Sequence, residues 1–155
     1  MNELVYRNLS EDAKRQICAW KYGGEYDLYN LPSYEEMQVR QIGFMNPQRE
    51  KNYYGFWDES ILVGFVNILE EKEEVFIGIG VNPDLCNKHY GQRMLLITYE
   101  ISKKLYPNKP LYLEVRTWNI RAVKCYQKAG FRIDGQAYEL TTGIAVSYTH
   151  LTLPT

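Results

Sequence analysis

The sequence is poor in the residues on which several functional classes depend. It has three cysteines, Cys18, Cys86 and Cys125, odd in number and widely spaced, which speaks against a disulfide framework and for reduced thiols. It has two histidines, His89 and His150, and no close cysteine pair, so no metal is expected. Lys and Arg total 18 against 19 Asp and Glu, a formal net charge of −1 that supplies no basic face for a nucleic-acid partner. No apolar run reaches the length of a bilayer span, and the opening MNELVYRNLSED has neither a long apolar stretch nor a basic leader. Neither a membrane partner nor a signal peptide is expected, and the protein is expected to be cytoplasmic. What the chain does have is size and core material. Its 155 residues, 45% of them hydrophobic, suffice for one domain around one core.

Leu4-Val5-Tyr6 predicts a short strand, and Ser10 followed by Glu11 and Asp12 predicts the capped start of a helix through Cys18. An aromatic stretch follows, broken by Gly23-Gly24 and Pro32. Ser33 and Glu36 form a capping-box pattern for a helix from roughly Tyr34 to Ile42. Asn52–Trp57 and Ile61–Leu69, separated by Asp58-Glu59-Ser60, read as an antiparallel hairpin. After the charged turn EEKEE, Val75–Val81 predicts a strand interrupted by Gly78 and Gly80. Glycines there fit a bulge or a ligand approaching the backbone closely, or else a sheet crowded by a packed helix. Gly91–Leu105 reads as a helix with Met94, Ile97, Ile101 and Leu105 as its core stripe. Leu111–Val115 is a further strand, Asn119–Ala129 a helix closed by Gly130, and Phe131 begins another strand. Strand, two helices, meander and a βαβα unit together imply an α/β domain with a partly antiparallel sheet.

The last ten residues, VSYTHLTLPT, resemble the translation of a transposase-type sequencing adapter. Residues 1–145 are therefore read as the domain and 146–155 as a non-native tail, kept out of functional reasoning. A genuine closing strand is the alternative, because Thr, Val and Tyr pair readily in sheets; the encoding DNA distinguishes the two. His150 lies in this segment and is assigned no role.

Two segments carry chemistry. In Val81–Arg93 a strand passes into a helix, whose N-terminal N–H groups and dipole suit a phosphate, with Lys88 and Arg93 as nearby cations. A purely structural turn fits the same residues. In Leu113–Phe131, Asn119 starts a helix, and Ala122 and Tyr126 follow at one-turn intervals along one side. Gly130-Phe131 then leads back to the sheet. Small Ala122 permits close approach, while Tyr126 also fits an amphipathic aromatic with its ring in the core and its hydroxyl at the edge.

These two segments at this separation resemble the GCN5-related N-acetyltransferases (GNAT), with the match running from about Val63 to Phe131. The resemblance implies a mixed, mostly antiparallel sheet flanked by helices, with a splayed fourth and fifth strand pair. The family's loop pattern falls on Cys86, His89 and Gly91, of which only Gly91 matches. His89 places a Cβ where the family has glycine, which strains the loop if a positive φ is needed. The resemblance implies that Asn87, Lys88, His89, Tyr90, Gly91 and Gln92 wrap the CoA pyrophosphate. Ile79 and Val81 would pair with pantetheine, and Asn119 and Ala122 would border the CoA arm. Tyr126 would sit near the thioester sulfur as the general acid.

Acetyl-CoA is then the cosubstrate and a primary amine the acceptor: a protein N-terminus, a lysine or a small molecule. A lysine-like amine has a pKa of about 10.4 and must lose a proton before it attacks. Glu114 is the first candidate base, and Glu74 the second; each also fits a solvent-facing carboxylate. The N–H of Val81 is the candidate oxyanion donor. Cys86 and Cys125 show no Cys–His pairing in sequence, so direct transfer is expected rather than an acyl-enzyme. Trp20, Tyr22, Tyr26 and Tyr29 fall where the family builds its acceptor-side lid, or else pack over the core. The alternatives are a CoA-binding module without useful catalysis and a generic nucleotide-phosphate binder. A homodimer is left open.

Overall fold

The computed structural model describes residues 3–141 and 144–153, and the side chains of 136–141 and 144–148 are outside that description. Seven strands form a sheet in the order β1-β2-β3-β4-β5-β7-β6. They are β1 (Val5–Asn8), β2 (Tyr53–Asp58), β3 (Ile61–Glu70), β4 (Val75–Val81), β5 (Leu111–Arg116), β6 (Arg132–Thr141) and β7 (Ile144–Leu153). The helices are α1 (Glu11–Ala19), α2 (Tyr34–Arg40), α3 (Tyr90–Leu105) and α4 (Ile120–Lys128). Among the described residues, no helix is long and apolar enough to cross a membrane. The chain divides into two compact units, one of Met1–Asn67 with Ile79–Tyr90, the other of Ile68–Gly78 with Gly91–Thr155.

In the first unit, α1 starts where Ser10 Oγ accepts the Ala13 N–H at 3.1 Å, and Glu11 and Asp12 complement the positive end of its dipole. Ala13, Ile17 and Cys18 point from α1 into a core shared with Met37, Trp57 and Leu62. Burying a side chain such as Ile17 contributes about 1.5–3 kcal/mol. Lys14 shares this inner face and is almost fully buried, so its ammonium needs partners. Nζ donates to Glu50 at 2.7 Å and to Glu11 at 3.3 Å. Burial opposes its charge, but the hydrogen bonds it donates to these two carboxylates outweigh that and hold its pKa above the usual value.

The helix α2 is capped as expected, with Ser33 Oγ accepting from Glu36 N–H at 3.1 Å. It stops at Arg40, short of the expected Ile42. Gln41 turns left-handed at φ 52°, and the Ile42 N–H folds back to the Met37 carbonyl at 3.3 Å. In the β2–β3 hairpin Asp58 stands opposite Ile61, and Glu59 takes φ 57° in the turn.

In the second unit, β4 and β5 run parallel with Val75 opposite Leu111 and Phe76 opposite Tyr112, and both strands continue past this register as a splayed pair. On α3 the buried face is Met94, Leu95, Thr98, Ile101 and Ser102. This corrects the expected stripe: Ile97 is half-buried and Leu105 exposed. Thr98 can occupy the core because its hydroxyl donates to the Met94 carbonyl one turn back, at 2.8 Å. The segment read as a foreign tail lies largely in β7, whose Tyr148–Leu153 stand opposite Arg116–Leu111 while its other edge pairs with β6. Such pairing asks only for extended β-forming residues and is indifferent to their origin. Pro154 and Thr155 lie outside the described residues.

Glu11 offers a stability test. The Tyr34 hydroxyl donates to its carboxylate, and that bond, aided by Lys14, holds the Glu11 pKa below its ordinary 4.5. A depressed carboxylate stabilises the fold fully above the unfolded pKa and loses that contribution as pH falls through the folded value. The stability gap between wild type and Glu11→Gln, read from urea midpoints, should therefore shrink below about pH 4.5. A gap of constant size from pH 7 to pH 3 would contradict this.

Candidate functional site

The end of β4 is shaped by what surrounds Gly80. A Cβ built on Gly80 would collide with the ring of Phe65 from β3, so only glycine fits. Phe65 is itself held by an aromatic group: Tyr53 stacks on it at 6.4 Å, Phe44 meets it edge-on at 6.2 Å, and Trp20 packs at 6.3 Å. Of the two readings of this glycine, crowding is what the structure displays, although the crowding group is an aromatic ring rather than a helix.

One residue further, the chain is tied on both edges. The Asn82 N–H donates to the Val63 carbonyl at 2.8 Å, and the Val81 carbonyl accepts the Tyr22 hydroxyl at 2.6 Å. Strand alternation sends the Val81 N–H to the same edge as its carbonyl, away from Val63. Asn82 then shapes the exit from the strand. Its side-chain oxygen accepts from Asp84 N–H at 3.0 Å, and its amide donates to the Leu62 carbonyl at 3.2 Å.

The loop that follows holds two non-glycine residues in the left-handed region, Asn87 at φ 67° and His89 at φ 65°. Alternating backbone handedness turns successive N–H groups toward one point and makes a concavity suited to an anion. Asn87, Lys88 and His89 are exposed at the surface. Tyr90 closes the loop by donating its hydroxyl to Asp58 Oδ2 at the end of β2, at 2.6 Å, and begins α3. Thus Ile79, Val81, Asn87, Lys88, His89 and Tyr90 are brought together in the first unit.

Gly91, Gln92, Asn119, Ala122 and Tyr126 belong to the second unit. Asn119 is buried and caps α4, its Oδ1 accepting the Ala122 N–H at 3.2 Å. Ala122 and Tyr126 are half-buried along this helix. The α4 exit is fixed by the Phe131 N–H on the Tyr126 carbonyl at 3.0 Å and by Gly130 at φ 102°. Gln92 Nε2 donates to the Lys128 carbonyl at 3.2 Å, which joins the start of α3 to the end of α4. Burial raises the pKa of the Cys125 thiol, so it is a poor nucleophile at neutral pH.

The two carboxylates sit differently. Glu114 is exposed on β5, opposite His150 in the strand register, and shares its face with Tyr112. Tyr112 stacks on His150 at 5.0 Å and donates to Glu71 at 2.8 Å. Burial, reinforced by the Glu71 carboxylate, pushes its hydroxyl well above the usual range. Glu74 is half-buried immediately before β4, and its carbonyl accepts the Glu71 N–H at 2.8 Å. It stands at the end of β4 away from Val81. Sequence reasoning missed Asp58 and Phe65 altogether, and it had no signal for the contact of Tyr22 with Val81.

A family model described as the acetyltransferase (GNAT) family matches residues 10–131, through elements of both units. No curated protein sequence matches. Among solved structures, a spermidine N-acetyltransferase chimera from Vibrio cholerae and hSSAT is 18% identical, with a TM-score of 0.80 over 99% of this chain and 96% of that one. An acetyltransferase of the GNAT family from Bacillus anthracis is 17% identical, with a TM-score of 0.78 over 99% and 95%. A dodecameric spermidine N-acetyltransferase from Vibrio cholerae is also 17% identical, with a TM-score of 0.72 over 98% and 94%. At such identities the likeness is one of fold.

His89 gives the site its own test. A left-handed side-chain-bearing residue costs about 1–2 kcal/mol, partly offset by the greater freedom that glycine gives the unfolded chain. His89→Gly should therefore raise stability by roughly 0.5–1 kcal/mol in urea unfolding. Destabilisation by that variant would show that the imidazole, not the backbone, governs the loop.

Proposed function

This chain belongs to the acetyltransferase (GNAT) family, and we propose that it transfers an acetyl group directly from acetyl-CoA to a primary amine. The observation that carries the reading is the loop of alternating handedness at Asn87 and His89, placed directly ahead of α3. Its N–H groups, from Asn87 through Gln92, would hold the pyrophosphate of CoA, with Lys88 adding charge. The edge of β4 that carries Ile79 and the Val81 N–H would pair with the pantetheine amides. Asn119 and Ala122 would border the CoA arm, with Asn119 also fixing the start of α4 as a cap. The domain so read spans 1–145, with 146–155 as a tail that supplies most of β7.

In the proposed reaction the amine first loses a proton, since a lysine-like amine of pKa about 10.4 arrives as the unreactive cation. Glu114 is the first candidate for this step, through water, because its exposed position keeps it open to solvent. Glu74 is the second. The neutral amine attacks the thioester carbonyl, and the Val81 N–H stabilises the oxyanion that forms. Collapse releases CoA thiolate, which Tyr126 protonates. A protonated Cys125 fits direct transfer rather than an acyl-enzyme. The spermidine N-acetyltransferases among the structural neighbours favour a small-molecule amine over a protein acceptor.

A second reading, a CoA-binding module without useful catalysis, is favoured by one feature: a histidine where a positive φ calls for glycine. Thiol release from acetyl-CoA across a panel of amines separates the two, since the module would bind CoA and release none. Tyr126→Phe should lower kcat by about 100-fold or more while leaving the acetyl-CoA KM nearly unchanged. Glu114→Gln should lower turnover and shift the pH–rate profile, and an unchanged profile would remove Glu114 from the mechanism.

A further inference from the structure

The loop ahead of α3 carries two side chains on backbone that glycine ordinarily takes. Asn87 at φ 67° and His89 at φ 65° are both left-handed, and both are exposed. Asparagine and histidine are among the side chains that tolerate this region best, so the backbone accounts for either residue at either place. They differ in charge. Among the residue types from 87 to 92, histidine alone changes its charge between about pH 5 and 8.

Distance decides whether that charge matters. The imidazole hangs two bonds from a Cα that is flanked by the N–H groups of His89 and Tyr90. Whatever its rotamer, it stays within roughly one Debye length, about 8 Å at physiological salt, of an anion held by those N–H groups. Its effect on such an anion therefore needs no direct contact. The charged side chains around this point are Asp84 and Lys88 on the same loop, and Arg93 along α3. Asp58, which accepts the Tyr90 hydroxyl, and Glu59 in the turn after it complete the set. Lysine, arginine and carboxylate side chains hold their charges from about pH 5.5 to 8, which leaves the pH-dependent part to histidine.

We propose that His89 makes capture of the acyl donor pH-dependent: its imidazolium, tethered beside the pyrophosphate of CoA, tightens binding as pH falls. This rests on the acetyltransferase reading above, in which residues 87–92 hold that pyrophosphate. The sign follows from linkage. A bound anion favours the protonated imidazole, so the complex holds the proton more tightly than the free protein does, and the proton in turn tightens the anion. Two negative charges a few ångströms from one positive charge, in screened and water-like surroundings, are worth about fivefold in affinity. The acceptor responds in the opposite sense, because it attacks as the neutral amine. Donor capture and amine attack are thus favoured at opposite ends of the range, and His89 sets where they balance.

The test is calorimetric titration of the full-length chain with dephospho-CoA. This probe keeps the pyrophosphate but lacks the ribose phosphate monoester, a kind of group that itself titrates at about pH 6. The wild type should bind about fivefold more tightly at about pH 5.5 than at about pH 8. Near pH 7 it should also take up protons on binding, read from the dependence of the measured heat on the ionisation enthalpy of the buffer. His89→Gln keeps a side chain on the same backbone but is neutral throughout, so its affinity should not change with pH and its proton uptake should vanish. His89→Gly should likewise bind independently of pH, whatever relief it brings to the backbone. A flat wild-type profile overturns the proposal, and so does a slope or a proton uptake that persists in His89→Gln. The parent reading fails by a different sign, and takes the proposal with it: no binding of CoA or dephospho-CoA to the wild type at any pH.

Discussion

Phe65 leaves no room for a side chain at residue 80, and much of the first unit follows from that one exclusion. The ring is gripped by Tyr53, Phe44 and Trp20, so it cannot move aside without disturbing the core beneath α1 and α2. Aromatic contacts of this sort contribute about 0.5–1.5 kcal/mol each beyond the area they bury. Gly80 accepts the ring as a neighbour, and β4 can then run on to Val81 with its backbone held by Val63 on one edge and by Tyr22 on the other. Packing and polar positioning are thus the same arrangement: an aromatic core sets the strand, and the strand presents its N–H and carbonyl groups.

The polar groups nearby are placed by hydrogen bonds more than by ion pairs. Asn82 turns the chain out of β4, Tyr90 pins the following loop to Asp58, and Asn87 and His89 supply the backbone handedness between them. An anion cradle built from main-chain N–H groups needs shape rather than particular side chains. Such a cradle would not require the family's own residues, from which this loop departs at Cys86 and His89. The departure has an energetic side, because histidine tolerates a left-handed backbone less readily than glycine.

What the sequence made legible was local. Ser10, Ser33 and Asn119 cap helices by side-chain bonds whose partners lie within three residues, and the β4 limits were readable from a β-rich run between charged and turn residues. The Val81–Arg93 and Leu113–Phe131 segments together carried the family resemblance. What was not legible depended on partners far along the chain. Nothing near Gly80 names Phe65, and nothing near Tyr22 names Val81. The α3 face was misdrawn because a stripe of apolar residues passes over Thr98, whose hydroxyl, bonded within its own helix, can be buried. The left-handed turn at Gln41, a residue with no special liking for it, likewise ended α2 before its apolar pattern did.

The central claim is that the end of β4 and the loop after it form the seat of an acyl-CoA. Titrating the isotopically labelled chain with CoA and following backbone amide shifts tests this most directly, because the claim concerns N–H groups. The account predicts the largest perturbations at Ile79, Val81 and the amides from Asn87 to Gln92, undisturbed by ATP in excess. Perturbations confined to other parts of the chain, or reproduced by ATP alone, would contradict it.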